Sequence, residues 1–207
     1  GALMGCAVSI REIVKEQAIY RREHGIGLSG GAYLASKLAV LGAITSVQAL
    51  ILGFLGVALL PPPDHSLALP WPRLEVAVAV LAVTVVSMIL GLLISAMIGN
   101  ADRGMPLLVL VVMAQLVLCA GMFGVKDRIP LEQLSWLSPS RWAYAMAAST
   151  VDLNDMRRTA ADQDPMWNYD FASWSIAAAA CAVQAVVLVI LIVLRLRRIG
   201  PQRRAKM

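Results

Sequence analysis

Four runs of apolar residues, 32–60, 74–99, 105–125 and 173–194, constrain this chain more than any other feature. A bilayer core about 30 Å thick takes about 20 residues of helix to cross, and lipid offers no water to an unpaired backbone group. The runs therefore predict an all-α fold, a polytopic transmembrane helical bundle. Pro61, Pro62 and Pro63 end the first run and Pro70 and Pro72 precede the second, so 61–73 reads as a tight connector. Residues 100–104 alone separate the second run from the third, which predicts an antiparallel hairpin. Residues 1–9 are apolar but follow no basic stretch, unlike a secretory signal. They read as the end of a fifth span, and the chain as a fragment of a longer protein.

Orientation follows from the cations. Lys and Arg collect on the cytoplasmic side of membrane proteins. Placing 10–31 and the basic tail 195–207 inside gives that side twelve cations against four acids, and the other side six against nine. Every loop then agrees, which predicts a multi-pass protein of the plasma (inner) membrane with both segments cytoplasmic. The tail follows an apolar helix and has no interleaved aromatics. It suits anionic lipid headgroups and not nucleic acid.

Composition narrows the chemistry. Apolar residues make up 59% of the 207, and mean hydropathy is +0.72. Cys6, Cys119 and Cys181 sit inside apolar runs without Cys-x-x-Cys spacing, so they predict neither disulfides nor zinc. His24 and His65 are isolated. There is no GxxxxGK[ST] or HExxH string and no pair of acids inside a span, hence no expected catalytic, cofactor or metal residue. A GxGxxG string starts at Gly25, but a charged helix precedes it and no acid lies about 20 residues on, so it predicts no dinucleotide site.

The segment 10–31 is the polar exception. On a helix, Ile10, Ile13, Val14 and Ala18 share one side and the charges take the other. Glycines at 25 and 27 should end that helix. Within 74–99, Ser87, Gly91, Ser95 and Gly99 recur every fourth residue, with Thr84 extending the strip. This predicts close helix packing. Thr45, Ser46, Gln48, Gln115 and Gln184 are polar groups expected to bond between helices. Lys37 and Glu75 lie near run ends and should snorkel to the surface. The outer segment 126–172 carries Trp136, Trp142, Tyr144, Trp167, Tyr169 and Phe171, which favour headgroup level. Short helices are expected at 131–137 and 141–149, the second capped by Ser140.

Several stretches occur in one order: Arg11-Glu12-Ile13-Val14-Lys15-Glu16, Ile19-Tyr20-Arg21-Arg22-Glu23, Gly27-Leu28-Ser29 and Ala32-Tyr33-Leu34-Ala35-Ser36-Lys37. After them come Gly91 to Ala96, Met105-Pro106-Leu107, Gly121-Met122-Phe123 and 134–142, LSWLSPSRW. Together they resemble the membrane domain of type-two ABC exporters, G-subfamily or white-like. The outer segment lacks the cysteines of animal members, which suits a bacterial member, including the kind with forkhead-associated domains upstream.

The resemblance implies the end of a second span at 1–9, spans three to six, and homo- or heterodimers. It implies a connecting helix resting on an ATPase through Glu12, Lys15, Glu16, Tyr20, Arg21, Arg22 and Glu23, and a coupling turn at 25–29. It also implies a re-entrant segment at 129–150 and a substrate path or gate at Met113, Leu116, Ala120, Met122 and Phe123. ATP and Mg would belong to a nucleotide-binding domain outside this chain. The expected function is an ATP-driven exporter of a lipid, glycolipid or hydrophobic compound. A permease served by a separate ATPase chain, or a non-catalytic membrane scaffold or channel subunit, stays open at this point.

Overall fold

The computed structural model describes residues 1–25, 29–58, 66–121, 128–156 and 163–199, with the backbone alone at 21 and 23–25. Helix α1 (Ala2–Ser9) turns at Ile10 and Arg11 into α2 (Glu12–Gly25). The long helices are α3 (Gly30–Ala58), α4 (Pro72–Met97), α5 (Gly104–Leu118) and α9 (Phe171–Ile199). Between α5 and α9 lie the short α6 (Leu131–Ser135), α7 (Pro139–Thr150) and α8 (Leu153–Met156). A 3-10 turn, Ala101–Arg103, joins α4 to α5. Among the described residues every regular element is helical, and four stretches are long and apolar enough to span a membrane.

Helix α4 is the hub. Half of its most apolar window is buried, against 17–22% in the other three spans. The reason is the small-residue strip, which lets α1 approach closely. A Cβ on Gly5 would lie 2.1 Å from the Thr84 carbonyl oxygen, and one on Gly91 would lie 2.2 Å from Ser9 Oγ. Helix α1 also reaches α5, with Cys6, Ile10 and Leu108 in one buried cluster. At one end of the bundle, Ile13 and Tyr20 of α2 pack with Leu34, Leu92, Ile192 and Leu196 from α3, α4 and α9. At the other end, α7 inserts Ala143, Ala145 and Met146 among Ala79, Val86, Ala177 and Cys181. Large apolar side chains point outward from α3, α5 and α9, including Val40, Leu55, Leu110, Val183 and Val186. Lipid tails are as apolar as these groups, so their exposure costs little in a bilayer.

Several sequence expectations shift. The third run was expected to stay helical to 125, but α5 stops at Leu118. Ala120 takes a left-handed φ of 63° and is buried, while a Cβ on Gly121 would lie 3.0 Å from the Tyr144 ring, so the chain turns into the bundle. Ser138, not Ser140, precedes α7; Ser140 Oγ instead donates to the Gln115 carbonyl at 2.6 Å. Trp167 is 1% exposed, packed in the protein core instead of facing outward. Gly99 lies beyond α4, and a Cβ placed on it would meet nothing within 4 Å, so the strip ends at Ser95. Ala18 is exposed, and Tyr20, seven residues after Ile13, completes the buried side of α2.

Candidate functional site

Among the described residues, polar contacts tie the helices together at three places on α4 or α3 and at two more toward the α7 end. The first is the elbow between α1 and α2. Ser95 Oγ accepts the backbone N–H groups of Ile13 at 2.9 Å and Val14 at 3.0 Å. Gln17 Nε2 donates to the Ile98 carbonyl at 3.4 Å, at the end of α4.

The second is a latch between α2 and α3. Lys37 Nζ meets Glu16 Oε1 at 2.7 Å and Glu12 Oε2 at 3.1 Å, and the Tyr33 hydroxyl donates to Glu16 Oε2 at 2.9 Å. Glu12 and Glu16 are four residues apart, as are Tyr33 and Lys37, so each pair shares one helix face. That matched spacing was the signal for the latch in the sequence. Partial burial pushes the Glu16 carboxyl up, but the Lys37 and Tyr33 hydrogen bonds and the Lys37 charge outweigh it and hold it below its ordinary value. Tyr20 stacks near Tyr33, ring centroids 4.9 Å apart, and donates to the Leu196 carbonyl of α9 at 3.5 Å.

These contacts divide the sequence-predicted coupling residues. Glu12, Glu16 and Tyr20 turn toward the membrane helices. Lys15 and Arg22 are exposed, with Ala18 and Ile19 between them at helical spacing. The side chains of Arg21 and Glu23, and most of the turn at 25–29, lie outside the described residues.

The third place is a polar knot within the bundle. Ser87 Oγ donates to Gln115 Oε1 at 3.0 Å, Gln115 Nε2 to Cys6 Sγ at 3.6 Å, and Cys6 Sγ to the Ser87 carbonyl at 3.2 Å. The three form a ring joining α1, α4 and α5, each satisfying the next. Thr45 does otherwise, bonding the Leu41 carbonyl of its own helix at 2.7 Å. Gln184 Nε2 reaches the Trp136 carbonyl at 2.8 Å.

The expected path residues separate. Leu116 borders a cavity of about 390 Å³ between α1, α4, α5 and α7, whose polar rim includes Gln115, Ser140 and Tyr144. Met113 faces a shallow outer groove of α5 with Val109 and Val117. Ala120 is buried against α7, and Met122 and Phe123 lie outside the described residues.

At the far end Glu75 does not snorkel; it is fully buried. Its Oε1 accepts the N–H groups of Leu67, Ala68 and Leu69 at 2.6–2.8 Å, and Oε2 accepts the Thr150 hydroxyl at 2.9 Å. Four donors replace the water a carboxylate would otherwise need. Arg141 of α7, 2% exposed, is paired with Asp164 and lies 6.0 Å from the centre of the Trp167 ring. Residue order pointed Glu75 to the surface and did not single out Arg141, because Thr150 lies 75 positions from Glu75 and Asp164 lies 23 from Arg141.

The described acids near α2 are committed to Lys37, and no described group of His, Cys, Asp and Glu could hold a metal ion. What this arrangement can do is mechanical: a polar helix is tied by hydrogen bonds to α3, α4 and α9 at once.

The ABC-2 type transporter family profile matches residues 1–151. The ABC transporter ATP-binding/permease protein Rv1747 of Mycobacterium tuberculosis is 40% identical over 173 residues, covering 83% of this chain. The chain spans 20% of that relative's length. Apolar spanning helices and the family match lead to one conclusion: this multi-pass membrane chain belongs to the ABC-2 type transporter family.

Proposed function

We propose that this chain is the membrane-spanning permease part of an ATP-driven ABC exporter, with α2 as the lever that carries work from a nucleotide-binding domain into the bilayer. The observation that carries the reading is the attachment of α2 to three spans through Ser95, Lys37 and Leu196. A lever must be stiff and must be fastened to what it moves, and α2 has both properties. Its exposed stripe of Lys15, Ala18, Ile19 and Arg22 offers two cations around an apolar centre to a partner surface bearing carboxylates. In this reading the α2 end faces the cytoplasm of the plasma (inner) membrane, in accord with the cation count. ATP and Mg belong to the partner domain, an assignment supported by the ATP-binding/permease name of the relative.

Two copies of the bundle would enclose the substrate path, with the apolar outer groove of α5 at the centre of the dimer. An apolar, Met-bearing wall suits adaptable contact with a lipid, glycolipid or other hydrophobic cargo. The G-subfamily likeness, and a bacterial member with forkhead-associated domains, belong to the same reading.

The test is ATP-dependent transport by the full-length protein in proteoliposomes. Reversing the exposed stripe with Lys15→Glu and Arg22→Glu is expected to lower transport per ATP hydrolysed while the protein stays folded. An unchanged ratio would overturn the lever assignment.

A further inference from the structure

The geometry at the elbow assigns a role to one residue that its place in a small-residue strip does not suggest. A helix begins with N–H groups that have no partner within it, and a side-chain oxygen just before the first turn normally takes one or two of them. Arg11, which precedes α2, has no such oxygen. The Ser95 hydroxyl supplies it from α4, 82 residues away in sequence, accepting from both Ile13 and Val14. Ser95 is fully buried, so no water competes for these donors.

Two neighbouring contacts fix the register. One turn back along α4, Gly91 meets Ser9 and Cys6 with no room for a Cβ. Beyond the end of α4, the Ile98 carbonyl accepts Gln17 Nε2. The elbow at Ile10 and Arg11 therefore cannot slide along α4 without breaking the cap.

We propose that Ser95 is a positioning residue for coupling, pinning the first turn of α2 to α4 so that movement of α2 drives α4 instead of being absorbed at the elbow. This rests on the lever reading above. It adds that α4, the helix that also holds α1, α3, α7 and α9, is the receiver, and that the Ser95 hydroxyl is the joint.

The experiment compares Ser95→Ala and Ser95→Thr in full-length protein in proteoliposomes. ATP hydrolysis, transport per ATP and thermal stability are measured together, with Lys15→Glu/Arg22→Glu as a parallel variant. Ser95→Ala should lower transport per ATP about fivefold, the equilibrium shift expected when one helix cap is lost. Ser95→Thr, which keeps the hydroxyl, should restore the ratio. A proportional fall of hydrolysis and transport with stability would mean a merely structural residue and would overturn the proposal. So would an unchanged ratio in Ser95→Ala when the Lys15/Arg22 variant is uncoupled. If neither variant changes the ratio, the lever reading itself fails. Should Ser95→Ala not fold, Gln17→Ala removes the second tie between α2 and α4. It should lower the ratio in the same direction, and an unchanged ratio there overturns the joint.

Discussion

Lys37 Nζ lies 2.7 Å from Glu16 Oε1 and 3.1 Å from Glu12 Oε2, so one cation in the first turns of a spanning helix latches two successive turns of α2. The lysine side chain is 18% exposed and the carboxylates 36% and 30%, which leaves the pairs partly screened. The latch thus orders α2 more than it stabilises the bundle.

Lys37→Met should therefore cost only about 1 kcal/mol in global stability, yet speed protease cleavage within α2 many-fold. The acid dependence follows from Glu16, whose carboxyl is held below its ordinary value of 4.5. A lowered native value contributes stability that is present above that ordinary value and lost as pH falls through the native one. Protection of α2 should stay constant from neutral pH down to about 4.5 and decline below it, and Glu16→Gln should flatten the decline. Limited proteolysis across pH reads both. Protection that rises as pH falls would contradict the latch.

Glu75 fastens the connector at 67–69 and the end of α7 to α4. Glu75→Ala leaves three backbone donors without their acceptor, while the Thr150 hydroxyl keeps the Met146 carbonyl at 3.1 Å. Each unmade buried bond costs about 1–3 kcal/mol, so the variant should lose at least about 3 kcal/mol. Glu75→Gln, which keeps one carbonyl acceptor, should lose less. Thermal denaturation in detergent orders the two, and equal losses would show that charge alone matters at this position.

Close approach of α1 to α4 makes a sharp prediction about two glycines. A methyl at Gly5 would run into the Thr84 carbonyl and, at 2.8 Å, the Met88 nitrogen, both backbone atoms that cannot rotate away. Gly5→Ala should cost about 1–3 kcal/mol by overpacking. A methyl at Gly56 of α3 would meet nothing within 4 Å, so Gly56→Ala should be neutral or up to about 1 kcal/mol stabilising. Melting temperatures of the pair check the packing, and equal shifts would refute it.

Arg141 and Asp164 form a buried ion pair between α7 and the turn ahead of α9. Removing one member leaves an uncompensated charge, so Arg141→Met should cost about 3–5 kcal/mol. Asp164→Asn keeps an acceptor for the Met166 N–H, bonded at 3.0 Å, while removing the charge. Combining the two should recover more than half of the loss. An additive double variant would show that the two residues act independently.

Much of the architecture was legible from residue order. Hydropathy is summed along a segment, so spans at 74–99 and 173–194 emerged close to the observed Pro72–Met97 and Phe171–Ile199. The charged α2, its buried Ile13 and Val14, and the tight turn at 100–104 came from local periodicity in the same way. The end of α5 did not, because Ala120 and Gly121 turn inward only when Tyr144 and α7 are there to receive them.

By itself the sequence determined how many helices can enter a bilayer, which segment is too polar to do so, and the family. Tertiary structure alone decided that Ser95 is a cap instead of mere packing, that Lys37 ends on Glu12 and Glu16, that Glu75 is clamped instead of snorkelling, and that Met113 and Leu116 face different openings. Hydropathy belongs to each residue and needs no partner. A hydrogen bond depends on a donor and an acceptor, which lie 82 positions apart at Ser95 and 176 apart at Tyr20, and only the packing of the helices brings them within reach.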